Sequence, residues 1–195
     1  QEFLKKKIKN SFVLISDFED FQIPYDPRNK KFTKNIFNKI YNNNFLDSWY
    51  AINYNYDKNY KKINHLPLGI DFHTVSKKNK WGENKTSSHQ QEDKLIEKYK
   101  KSNQIKDRKN KCFLCSNNNT SKSLKKIGII DLDKIDIKKK LISNKNVDIC
   151  NKFYSRDKFW EKICEYRFII CPVGNGMDTH RLWESLFLGC IVIVQ

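Results

Sequence analysis

Short apolar runs alternate with amphipathic stretches along the whole chain. Residues 11–16 (SFVLIS) read as a buried strand, and the polar DFEDFQIPYDP after them, closed by two prolines, reads as a turn. Ile36, Phe37, Ile40 and Tyr41 then recur at helical spacing. Residues 49–54 (WYAINY) predict the next strand, and residues 63–71 (INHLPLGID) carry another into a Pro and Gly corner. Residues 77–88 are polar and aperiodic, as in a connection or a mobile loop. A helix follows from about Gln91, with Leu95, Ile96 and Tyr99 on one side.

A second alternation then begins. KCFLCSN (111–117) predicts a strand, a basic helical stretch runs to about Ser143, and NVDIC (146–150) predicts another strand. Phe159, Trp160 and Ile163 mark a helix, RFIICP (167–172) a strand, residues from about Thr179 a helix, and CIVIV (190–194) a last strand. Strands and helices in this order predict an α/β protein with parallel sheets. The expected division is an N-terminal α/β lobe over residues 1–85 and a Rossmann-like lobe over 86–195, the second incomplete at its C-terminal end. The chain begins at Gln1 and stops inside an apolar run, which reads as part of a longer protein.

The formal net charge of +16 changes this picture little. Of 38 basic residues 33 are Lys and 5 are Arg, and 22 Asn are spread among them. That mixture lacks the Arg and Gly pattern of a nucleic-acid reader, so no specific nucleic-acid partner is expected. No run of 18 apolar residues spans a bilayer, and no signal peptide is visible. A cytoplasmic location is expected, with the secretory-pathway lumen as the alternative. The six cysteines, most of them beside apolar residues, read as buried free thiols; Cys112 and Cys115 form C-x-x-C with no second pair at zinc spacing.

The candidate chemistry lies in residues 171–194, CPVGNGMDTHRLWESLFLGCIVIV. A loop leaving the carboxyl end of a parallel strand meets the start of the next helix, where exposed N–H groups favour anions. Gly174 and Gly176 are expected to take positive φ and let the backbone approach a ligand, with Asn175 between them and Asp178 as a helix cap. The dinucleotide fingerprint and the P-loop are both absent. Arg181 suits phosphate oxygens, and Glu184, on the same helix face as His180 and Arg181, suits ribose hydroxyls. The competing reading pairs Arg181 with Glu184 as a surface ion pair worth a few tenths of a kcal/mol.

This segment resembles the donor site of exostosin-like glycosyltransferases, in which P-x-G-x-G-x-D-x-H-R-x-W-E is followed by L-G-C-I-P-I-V. FVLISDFED, WYAINY, HLPLGIDFHT and QQEDKL resemble upstream parts of the same proteins; Val192 stands where such segments often carry Pro. The resemblance implies a GT-B-like architecture of two Rossmann-like lobes and a metal-independent enzyme. It also implies a UDP- or GDP-linked sugar as donor and no permanently bound cofactor. The acceptor would be a hydroxyl of a glycan, lipid or glycosylated protein. It places Arg181 on the diphosphate, Glu184 on the ribose and Gly174 to Gly176 around the phosphates.

An inverting transfer needs a base for the acceptor proton. His73 and Asp71, after the Pro and Gly corner, are the leading candidates, with Asp17, Glu19 and Asp20 after the first strand as others. Two alternatives stay open. One is a metal-dependent GT-A-type transferase using Asp17 and Glu19 as a D-x-E. The other is a basic module that binds polyanions without catalysis.

Overall fold

The computed structural model describes residues 8–16, 21–55, 57–115, 122–126, 128, 130–150 and 152–194. Two compact units emerge: residues 1–68 with 175–178, and residues 69–174 with 179–195.

In the first unit β1 (Phe12–Ser16), β2 (Leu46–Ala51) and β3 (Ile63–His65) form a parallel sheet in the order β1-β2-β3. Helix α1 (Lys34–Tyr41) is the crossover from β1 to β2, capped by the Thr33 hydroxyl, which accepts from the Ile36 N–H. Its periodic residues Phe37 and Ile40 are buried against Leu46, Trp49, Ala51 and Ile63. The Phe37 and Trp49 rings stack with centroids 5.5 Å apart, and Trp49 Nε1 donates to Ser16 Oγ at 2.9 Å. Val13 and Ile15 occupy alternate positions of β1 and are exposed.

β2 begins and ends earlier than its sequence pattern suggested. Asn53, at φ 55, turns the chain beyond Ala51. β3 is likewise confined to three residues before Pro67 and Gly69.

The second unit contains α2 (His73–Lys77), α3 (Ser88–Lys101), a 3₁₀ turn (Ile105–Asp107), β4 (Lys109–Cys115), α4 (Lys122–Lys126), α5 (Lys134–Leu141), β5 (Val147–Cys150), α6 (Arg156–Ile163), β6 (Tyr166–Ile170), α7 (His180–Phe187) and β7 (Ile191–Ile193). The basic helical stretch is thus two helices, the second opened by Asp133, which accepts from the Ile135 and Asp136 N–H groups. The strands form one parallel sheet in the order β5-β4-β6-β7. From β4 the chain steps outward to β5 and then returns to β6 on the other side of β4, which makes the carboxyl ends of β4 and β6 the point where the winding reverses.

Phe113, Ile169 and Cys171 meet Leu95 of α3 and Phe159, Trp160 and Ile163 of α6 in the core. Four cysteines, Cys115, Cys150, Cys171 and Cys190, are buried, and all six are free. Burial pushes Cys115 and Cys190 up to about 12 and Cys171 to about 11, which suits packing residues and not nucleophiles.

The boundary falls at Leu68, and residues 69–85 join the second unit instead of closing the first. The cause is apolar contact and a backbone bond: Ile70 and Phe72 lie against the second unit's core, and the Trp81 carbonyl accepts from the Arg156 N–H at 2.9 Å. No described helix is long and apolar enough to cross a membrane.

Candidate functional site

β6 delivers the chain to the loop that precedes α7. Gly174 belongs with the second unit, whereas residues 175–178 belong with the first. Neither Gly174 nor Gly176 has a positive φ, which corrects the expectation drawn from the glycine pattern. Gly176 is required for a different reason. A Cβ there would stand 2.6 Å from Asn53 Nδ2, so the backbone lies directly on a buried side chain. Asn53 Oδ1 in turn accepts from the Asp178 N–H at 2.9 Å, and Arg28 Nη1 donates to the Asn175 carbonyl at 2.8 Å. Asp178 does not cap α7: the N-cap is Thr179, and Asp178 Oδ2 accepts from the Leu68 N–H at 2.8 Å. Asn175, Gly176 and Asp178 are therefore fastened to residues of the first unit, whereas the α7 side chains with which the sequence grouped them belong to the second.

Arg181, in the first turn of α7, reaches the reversal point of the sheet. Its Nη1 donates to the carbonyl of Cys115 at the end of β4, and its Cζ lies 4.6 Å from the centre of the Phe159 ring. Among the described residues no carboxylate forms an ion pair with it. A second cation is close by. Lys134, the first residue of α5, is buried, and burial followed by the Arg181 charge lowers it to about 8. Lys134 thus carries its charge in a buried place beside a second cation, and an anion bound there would be attracted by both groups. Lys134 escaped the sequence reading because one Lys in a basic helix resembles its neighbours; Asp133 and Asp136, which open α5, were the available signal.

Glu184, one turn further along α7, has another partner. Its Oε1 accepts from Arg156 Nε at 2.8 Å, with the two side chains 7% and 5% exposed. The surface pair of Arg181 with Glu184 is thereby replaced by a buried pair across α6 and α7. Oε2 of Glu184 accepts no hydrogen bond from a described residue. Arg156 Nη1 donates to Gln91 Oε1 at 3.0 Å, while Gln91 Nε2 donates to the carbonyls of Phe72 and Thr86 at 2.9 and 2.8 Å. The rings of Phe72, Trp81 and Trp160 surround the guanidinium at 5.7, 5.3 and 4.7 Å from Cζ. Arg156 also went unnoticed in the sequence, although it is one of only five arginines in a chain that otherwise uses Lys.

His180 and Asp71 do come together. His180 Nδ1 lies 2.8 Å from the Gly69 carbonyl oxygen, fit for an N–H donated to it, and Nε2 lies 3.7 Å from Asp71 Oδ2. The Asp71 carboxylate also receives the His73 N–H, the Thr74 N–H and the Thr74 hydroxyl. Burial pushes Asp71 up, but the Thr74 bonds, the His180 charge and the His73 N–H outweigh it and hold the group below the usual carboxylate range. Asp71 is accordingly an anchor for the start of α2 and for His180, and a weak proton acceptor. His73 stands exposed at the first position of α2.

Asp17, Glu19 and Asp20 lie outside the described residues. Among the described residues, no group of three or more His, Cys, Asp or Glu side chains could hold a metal ion. A search against protein-family models and a search of curated proteins both find no match to this chain.

Proposed function

We propose that the second unit is the donor-binding lobe of a GT-B-type glycosyltransferase that moves a sugar from a UDP- or GDP-linked donor to an acceptor hydroxyl. The observation that carries this reading is Arg181: a guanidinium at the carboxyl ends of β4 and β6, close to buried Lys134, with no ion pair to a carboxylate among the described residues. Parallel α/β sheets bind ligands at that edge, where the winding reverses. The resemblance of residues 171–194 to exostosin-like donor sites supplies the identity of the anion.

In the proposed reaction the bond between the anomeric carbon and the diphosphate oxygen breaks, and charge gathers on the departing diphosphate. Arg181 and Lys134, with the amino end of α7, stabilise that charge. Glu184 accepts ribose hydroxyls. The acceptor oxygen bonds to the anomeric carbon and gives its proton to a base, for which His73, exposed at the first position of α2, is the candidate.

Calorimetric titration with UDP and with GDP tests the reading. Wild-type protein should bind at least one, and Arg181→Ala, which loses a charge-assisted contact of about 1.5–3 kcal/mol, should bind it about 10- to 100-fold more weakly. Absence of binding by the wild type, or unchanged affinity in Arg181→Ala, would sink it. Transfer measured in EDTA separates the enzyme readings: activity should persist, and its loss would favour the metal-dependent use of Asp17 and Glu19.

A further inference from the structure

The buried cluster around Arg156 joins three helices of the second unit to one carboxylate. Glu184 projects from α7, Arg156 opens α6 and Gln91 lies in the first turn of α3. The chain of bonds runs from the carbonyls of Phe72 and Thr86 to Gln91, from Gln91 to Arg156 Nη1, and from Arg156 Nε to Glu184 Oε1. Each link is 2.8–3.0 Å long. Three aromatic rings leave the guanidinium little room to turn. Such an arrangement exceeds what neutralising one carboxylate requires. A single ammonium would balance the charge, whereas a planar guanidinium held at Nη1 and stacked on rings fixes the direction from which Nε reaches Oε1.

We infer that Arg156 is a positioning residue that, braced by Gln91, orients Glu184 so that Oε1 is occupied and Oε2 is presented as the acceptor for a ribose hydroxyl. The inference rests on the donor-site reading of α7 and adds a residue outside the donor-site segment. A carboxylate with one oxygen locked loses little further freedom when a hydroxyl binds, so the discrimination between ribose and deoxyribose depends on the lock. The phosphate contacts of Arg181, a turn away and engaged with Cys115 and Phe159, do not depend on it.

The experiment compares UDP and GDP with their 2′,3′-dideoxy forms and with inorganic pyrophosphate, by calorimetry, on wild type, Arg156→Lys and Gln91→Leu. Wild type should prefer the ribose form of its nucleotide by about tenfold or more, the value of one hydrogen bond to a charged group. Arg156→Lys keeps a charge but loses the planar fork. Gln91→Leu leaves Arg156 in place, unbraced, and keeps the test open should Arg156→Lys fail to fold. In each folded variant the preference should fall to within about threefold while pyrophosphate affinity stays within about twofold, a split that general loosening of the fold would not produce. Retention of the full ribose preference in the variants overturns the inference, as does a wild type that binds both sugar forms equally. A wild type that binds neither nucleotide nor pyrophosphate overturns the donor-site reading itself.

Discussion

Replacing Arg156 by Met removes one half of a buried ion pair and leaves the Glu184 carboxylate in a place where its side chain is 7% exposed. Across 2.8 Å the attraction at an effective dielectric of about 20 is worth about 6 kcal/mol, against which both desolvation penalties must be set. Removing one partner forfeits the attraction and keeps the other's penalty, so Arg156→Met should destabilise the second unit by about 3–5 kcal/mol. Loss of the bond to Gln91, about 1 kcal/mol, places the expectation in the upper part of that range. Glu184→Leu should cost a similar amount, because it strands the guanidinium. The double variant leaves no buried charge at this position and should recover most of the loss, giving a coupling energy of about 2 kcal/mol or more. Urea unfolding followed by tryptophan fluorescence measures all four proteins, since Trp81 and Trp160 face the guanidinium. A loss under about 1 kcal/mol in Arg156→Met, or additive single variants, would refute the claim that the pair is desolvated and mutually dependent.

Two further outcomes follow from the loop and from α5. Gly176→Ala should destabilise the first unit by about 1–3 kcal/mol, because its new Cβ meets the Asn53 amide at 2.6 Å; a melting temperature equal to wild type would show that Asn53 yields freely. Lys134→Met should stabilise the protein by up to about 3 kcal/mol near neutral pH, because folding lowers the lysine from 10.5 to about 8. Below pH 8 the charge is carried in both folded and unfolded chains and its burial penalty is fully present. Between pH 8 and 10.5 the unfolded chain binds more protons, so the penalty fades and the advantage of Lys134→Met fades with it. The raised thiols Cys115 and Cys190 titrate in both proteins and cancel in the comparison, whereas Cys171, whose thiol the Lys134 charge lowers, moves further up in Lys134→Met. A stability difference independent of pH from 7 to 10.5 would contradict this account.

What the sequence determined by itself is local periodicity and the order of elements. Ile36, Phe37, Ile40 and Tyr41 define the core-facing stripe of α1, with Phe37 and Ile40 buried, KCFLC falls within β4, and the strand, loop, helix and strand of residues 166–193 stand in the order that the apolar pattern predicts. These features depend on neighbours within a turn of helix or along one strand, and side-chain type is enough to reveal them.

Tertiary structure decided which distant groups meet. Glu184 has Arg181 three positions away, yet its partner is Arg156, because α6 and α7 pack side by side and the interior excludes the water that would hold the nearer pair apart at little loss. Asp178 stands at the start of a helix, yet it bonds to the Leu68 N–H, and Gly176 is small because Asn53 lies beneath it. Residues 69–85 join the second unit since Ile70 and Phe72 find apolar cover there and the Trp81 ring lies against the Arg156 guanidinium. Spacing along a chain limits which residues can share a face; the choice among long-range partners is made by burial, when the surrounding elements close and each polar group must find a mate.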